Sequence, residues 1–170
     1  ASTYGVDAYI IRDETHIDKT LFAFAIVGLP DNAVKESKER VAAAIKNSMF
    51  HFPIRRYTVN LAPADVKKEG SGFDLPMAIG ILCETSQASP VKVKDYVFVG
   101  ELSLDGKLRP VQGILPIALE TKKNNFKGII LPAENAKEAA IVEDIDVHPF
   151  ETLTEVVDFL NDEICPQPFK

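Results

Sequence analysis

The stretch Tyr96-Val97-Phe98-Val99-Gly100-Glu101-Leu102-Ser103-Leu104-Asp105-Gly106-Lys107-Leu108-Arg109-Pro110-Val111 sets the fold class. Two apolar-rich runs, Tyr96–Glu101 and Lys107–Val111, flank Asp105-Gly106. Asp-Gly readily adopts the positive φ angles of a tight hairpin turn, so the stretch predicts two antiparallel strands. Beyond it the pattern alternates. A helix is expected over Ile114–Asn125, a strand over Gly128–Leu131 and a helix from about Ala133–Asn135. A short strand over Asp146–Pro149 and a helix over Thr152–Leu160, capped by Thr152, complete the series. Alternation of this kind places strands in one sheet and helices over it.

Working toward the N-terminus, Tyr57–Leu61 alternates as a half-buried strand should. Ahead of it, Asp31 or Asn32 can cap a helix over Ala33–Met49. Val34, Val41, Ala44, Ile45 and Met49 recur at helical spacing, and Lys35, Glu36, Lys38, Glu39 and Arg40 are expected to face water. Leu21–Val27 is a continuous apolar run that suits a buried strand, stopped by Gly28-Leu29-Pro30. Val6–Ile11 reads as a further short strand. Between Leu61 and the hairpin lies a loop, Pro63 to Gly72, followed by an apolar helix over Leu75–Glu84. Asp74 is placed to cap that helix, and Pro76 sits in its first turn. The class is α/β (α+β): a single-domain mixed sheet covered by helices, spanning 1–163. Residues 164–170, with Pro166 and Pro168, read as an exit linker.

Composition narrows the function. The 170 residues carry 19 basic and 25 acidic side chains, a formal net charge of −6. A dedicated nucleic-acid-coating protein carries a basic excess, so this balance points elsewhere. No apolar run approaches the ~18–20 residues that span a bilayer, and Ala1–Ile10 lacks the pattern of a secretory leader. Cys83 and Cys165 stand far apart with no CxxC spacing, which favours a reducing, cytoplasmic setting. The scattered His16, His51 and His148 argue against a histidine-based metal site. No GxxxxGK[ST] loop is present, so this chain is not itself a P-loop ATPase.

Three places can carry chemistry. Gly70-Ser71-Gly72 precedes a helix, where free amides can bind an anion, although glycines also serve simply to turn a tight corner. Asp74 opposes an anion there. Ser71 with Lys67 or Lys68 offers a nucleophile and a base close in sequence, which by itself says nothing of reach. Arg55-Arg56, Lys67-Lys68 and Lys122-Lys123 are basic doublets that would contact phosphates if the fold brought them together; solvated surface charge is the simpler explanation.

Taken as a set, longer blocks are recognisable. Ala25-Ile26-Val27-Gly28-Leu29-Pro30-Asp31-Asn32-Ala33-Val34-Lys35-Glu36-Ser37 resembles a signature block of the YifB/ComM family, bacterial AAA+ ATPases related to magnesium chelatase subunits. Val59–Asp65, Lys68–Pro76, Gly100–Gly106 and Arg109-Pro110-Val111 agree with it. The resemblance implies that 1–163 is an N-terminal domain similar to the proteolytic domain of Lon proteases. It implies that 164–170 lead toward an AAA+ module outside this chain. ATP and Mg are then expected in that module and no cofactor or metal in this chain. The expected partners are the protein's own ATPase module, further copies in a homo-oligomeric ring, and DNA for the parent, with no membrane. ComM-type members act on DNA as branch-migration motors during natural transformation.

Lon-type peptidases carry their serine in a Lys-Asp-Gly-Pro-Ser-Ala-Gly motif. Laid on Lys68-Glu69-Gly70-Ser71-Gly72-Phe73-Asp74, the nucleophile position falls on Gly72. The Lon lysine follows a Gly-Gly-Leu element, here Gln112-Gly113-Ile114, which puts it at Leu115. The resemblance therefore implies a non-catalytic, pseudo-protease domain. The alternatives are a Ser/Lys peptidase with a displaced dyad using Ser71, and a nucleic-acid-binding module using the basic doublets. A shift of one residue at a helix start turns a side chain by about 100°, which weighs against the displaced dyad.

Overall fold

In the computed structural model, residues 2–4, 7–9, 12–18, 23–27, 31–53, 56–62 and 70–170 are described. Ten strands and five α-helices are found among them. β1 (Ser2–Tyr4) and β2 (Asp7–Tyr9) form a short hairpin. β3 (Arg12–Asp18) and β4 (Ala23–Val27) flank β5 (Arg56–Ala62) in a three-stranded mixed sheet, β3 antiparallel and β4 parallel to it. The crossover from β4 to β5 carries α1 (Asn32–Asn47). A second sheet, ordered β10-β9-β6, is wholly parallel and made of Asp146–Phe150, Gly128–Pro132 and Tyr96–Phe98. Its connections carry α3 (Ile114–Lys123) and α4 (Ala136–Ala139).

The hairpin expected around Asp105-Gly106 is present but shorter than its sequence suggests. β7 (Glu101–Leu102) pairs antiparallel with β8 (Leu108–Arg109). The expected strand Tyr96–Glu101 divides at Val99-Gly100, because Val99 still donates to Ile130 O in the parallel sheet while Gly100 turns to bond Gly72 O. One apolar run thus serves two pairings. Gly106 takes φ +89° and packs against Ser48 at the end of α1, which fixes the hairpin tip on that helix.

A parallel sheet must be covered on both faces, and this one is. Val97, Val99, Ile129, Leu131 and Val147 face Ile114, Ile117 and Ala118 of α3 and Ala136 and Ala139 of α4. Tyr96, Phe98, Ile130 and Phe150 face the opposite way. They share a core with α1, with Tyr57 and Val59 of β5, with α2 (Asp74–Glu84) and with α5 (Leu153–Leu160). The side-chain period of two in a strand sorts these two cores from one sequence. α5 buries Leu153, Val156, Val157, Phe159 and Leu160, each worth roughly 1.5–3 kcal/mol on leaving water. Its cap is the expected one: the Thr152 hydroxyl accepts the Glu155 amide at 3.2 Å.

Beyond Leu160 the chain has no regular structure and is mostly exposed. It nevertheless returns to the sheet, where the Phe169 amide donates to Val147 O of β10 at 2.8 Å. No helix among the described residues is long and apolar enough to cross a membrane.

Candidate functional site

The corner from Gly70 to Asp74 sits where the second sheet meets the β7–β8 hairpin. Gly70 turns with φ +82°, and its amide donates to Asp31 Oδ2 at 3.0 Å. The Ser71 hydroxyl donates to Glu101 Oε2 at 2.7 Å. Gly72 O accepts the Gly100 amide, and the Leu75 amide donates to Gly100 O, both at 3.0 Å. The segment entering α2 is therefore laid beside the neck between β6 and β7.

What surrounds Gly72 decides its chemistry. A Cβ built there would lie 3.3 Å from Val99 Cγ2 and 3.8 Å from Val111 Cγ1. Val99 is fully inside the core that α3 and α4 cover, and Val111 and Leu115 pack against the same core. The positions where the resemblance puts a serine and a lysine thus hold no side chain and an isobutyl group, in apolar surroundings. The covering loop is held from the other side. Asn135, buried, donates to Val111 O at 2.9 Å and accepts the Val111 amide at 3.0 Å. Gly113 takes φ +76° to start α3, and the Leu115 amide there donates to Glu138 Oε1 at 3.1 Å.

Below the corner lies a polar group that the sequence reading misplaced. Asp74 does not cap α2: Phe73 holds the cap position, and Asp74 is the first helical residue, its side chain wholly buried. Its carboxylate accepts Arg40 Nε at 2.7 Å, Arg40 Nη2 at 3.1 Å and the Leu102 amide at 3.0 Å. Arg40 Nη2 also donates to the Ser37 hydroxyl at 3.1 Å. Arg40, expected to face water, is only 18% exposed and turns inward instead. The exposed face of α1 retains its i,i+4 contact from Arg40 to Glu36, at 3.8 Å. Burial raises the Asp74 carboxyl above its ordinary range, against the pull of Arg40, Ser37 and the Leu102 amide. Arg40 is raised in turn, chiefly by its hydrogen bond to Asp74, and stays charged. The fork-to-carboxylate pair ties α1, α2 and β7 together.

Outside the corner, a cleft of about 560 Å³ is lined by Glu101, Ser103, Asp105, Lys107, Arg109 and Glu134, among others. Its walls mix both signs of charge. Ser103 donates to Asp105, and this hydrogen bond is the main reason the Asp105 carboxyl sits below its ordinary range. Among the described residues, no group of His, Cys, Asp and Glu is arranged to hold a metal ion.

The basic doublets are not brought onto one surface by anything described. Arg55, Lys67 and Lys68 lie outside the described residues, as does the Gly28-Leu29-Pro30 turn. Arg56 opens β5, paired with Asp18 and Ala23. Ser71 is placed, and its partner is Glu101. Sequence reasoning missed Arg40, Asp74 and Glu101 as a group; only the run Gly100–Gly106, shared with the resemblance, pointed at Glu101.

Residues 14–135 match the family described as subunit ChlI of Mg-chelatase. The competence protein ComM of Haemophilus influenzae is 43% identical over 160 residues, 94% of this chain and 31% of its own length. The uncharacterized protein YifB of Escherichia coli is 44% identical over 138 residues, 81% of this chain and 27% of its own. A Lon protease from Trichlorobacter lovleyi is 28% identical over 158 residues, 84% of this chain and 19% of its own. The chain thus spans about a third of the length of the first two relatives.

Proposed function

The chain belongs to the Mg-chelatase subunit ChlI family, and on that premise we propose that it is a non-catalytic, Lon-like accessory domain of a larger AAA+ ATPase. The observation that carries this reading is the apolar closure of Gly72. Lon-type acyl transfer requires a hydroxyl and an amine within hydrogen-bond reach of each other. At the corresponding positions stand Gly72, with Val99 and Val111 against it, and Leu115, packed into the same core. Neither position can supply or accept a proton. Ser71, one residue away, gives its hydroxyl hydrogen to a carboxylate, Glu101, on the other side of the corner.

In this reading the domain handles or positions partners for the ATPase module, and ATP and Mg belong to that module. The ring, the contact with the module and an ATP-dependent role on DNA for the parent are parts of the same proposal. They are supported by the likeness to ComM, whose name is that of a competence protein.

Turnover of casein and of short fluorogenic peptides, with Ser71→Ala as the control, tests the reading. The expected result is no turnover by either protein. Turnover that disappears in Ser71→Ala overturns the non-catalytic assignment and installs the displaced-dyad peptidase in its place.

A further inference from the structure

His148 lies in β10, opposite Ile130 of β9, and is only 4% exposed. Its ring meets Tyr96 edge-on at 5.6 Å and lies 4.7 Å from the ring of Phe159 in the last turn of α5. Its Nδ1 has no hydrogen-bond partner among the described residues. A buried nitrogen that bonds nothing is uncommon, because it forfeits its hydration without return.

The charged groups around it are set out unevenly. Asp146 lies on the same strand. Lys127, ahead of β9, has its Nζ 5.9 Å from the Tyr96 ring. Lys92, ahead of β6, stands 4.4 Å over the Phe159 ring, donates to Phe159 O at 3.0 Å and pairs with Asp162 at 2.5 Å. A proton on the imidazole would add a cation beside Lys127 and the Lys92–Asp162 pair, with Asp146 as the nearby carboxylate, at a ring only 4% exposed. Burial is the main reason the imidazole sits below its ordinary range; Asp146 opposes it, and Lys127 and Lys92 add smaller pushes in the same direction as burial.

What packs on His148 leads directly into the exposed segment that follows α5. Phe159 covers the ring, and the turn that follows is closed by the amides of Asn161, Asp162 and Glu163, which donate to Val157, Phe159 and Asp158. Residues 164–170 are mostly exposed and return to β10 through the Phe169 amide, next to His148 at Val147 O. We propose that His148 is the proton-operated catch of a strap formed by residues 161–170: the neutral ring holds Phe159 and this strap against β10, and uptake of one proton from solvent releases them. Release uncovers the β10 edge and the aromatic floor made by Tyr96 and Phe150.

Hydrogen exchange followed by NMR between pH 8 and 5, expressed as protection factors, tests this. Once released, the imidazole regains its ordinary pKa of ~6.5, so opening becomes about tenfold more favourable per pH unit below it. The protection factors of Asn161, Asp162, Glu163 and Phe169 are expected to fall accordingly, while the Met77 amide in α2 keeps its own. In His148→Phe the strap amides are expected to hold level across the range. An unchanged pH profile in that variant overturns the proposal, as does loss of protection at Met77 in step with the strap. The imidazole of the unmodified chain, titrated by NMR, decides the matter even if the variant does not fold: an ordinary titration with a protected strap overturns the catch.

Discussion

Asp74 and His148 are both titratable, both buried, and both in contact with the core that α2 and α5 share, yet their surroundings are opposites. Asp74 accepts two hydrogen bonds from a guanidinium and one from a backbone amide, and its cation is itself tied to Ser37. His148 has aromatic rings on two sides and an unpartnered nitrogen. The first arrangement spends its polar groups on joining three elements that are far apart in sequence. The second leaves one unspent, so the protonation state of one ring is felt by whatever covers it. A fully satisfied buried group rigidifies its neighbourhood, while a half-satisfied one makes its neighbourhood responsive to solution conditions.

The contrast can be broken most forcefully at Arg40. Arg40→Ala strands a buried carboxylate and is expected to lower stability by about 3–5 kcal/mol, read from urea unfolding. The double replacement Arg40→Met with Asp74→Leu removes both charges and is expected to recover most of that loss. A single variant that unfolds at the original midpoint would show that the pair joins nothing. His148→Phe sharpens the other side. Because burial lowers the imidazole, its neutral form contributes fully above the ordinary value near 6.5 and the chain loses stability as pH falls below it. The variant is therefore expected to match the original chain at pH 8 and to gain on it below pH 6.5, by up to about 1.4 kcal/mol per pH unit. Equal midpoints at pH 5 would remove the distinction between the two sites. The mildest test is Thr152→Ala, which unseats the cap of the helix that carries Phe159 and costs about 1 kcal/mol. It is expected to bring the acid response of the strap to a higher pH while leaving the Asp74 region untouched.

Much of the frame is readable from residue order alone. α3, β9, β10 and α5 fall within two residues of their expected limits, because their apolar spacing and the Thr152 cap are local signals. β3 was not anticipated: Arg12-Asp13-Glu14-Thr15-His16-Ile17-Asp18 has no apolar alternation, and the strand exists through its register with β5. The same limit governs the site. Gly70-Ser71-Gly72 marks a tight corner by composition alone, while the polar groups that meet there carry no such local mark. The Arg40–Asp74 pair spans 34 positions, and nothing near either residue distinguishes an inward arginine from a solvated one. Asp74 looked like a helix cap because Asp before an apolar run is the usual local signature. His148 was one of three scattered histidines until β10 and α5 closed on it.

The side chain of Asn135 has a mechanical meaning beyond holding a loop. With both bonds made to the same peptide unit pair of Val111, it engages that backbone as a neighbouring strand would, from a single residue in the turn Ala133–Asn135. Glu134, next to it, lines the outer cleft, and Val111 lies over Gly72. The turn is thus a short lever with one arm at the surface and one in the interior. It joins the cleft wall at Glu134 to the Val111 backbone over Gly72, a corner packed so closely that an added Cβ would lie 3.3 Å from Val99 Cγ2.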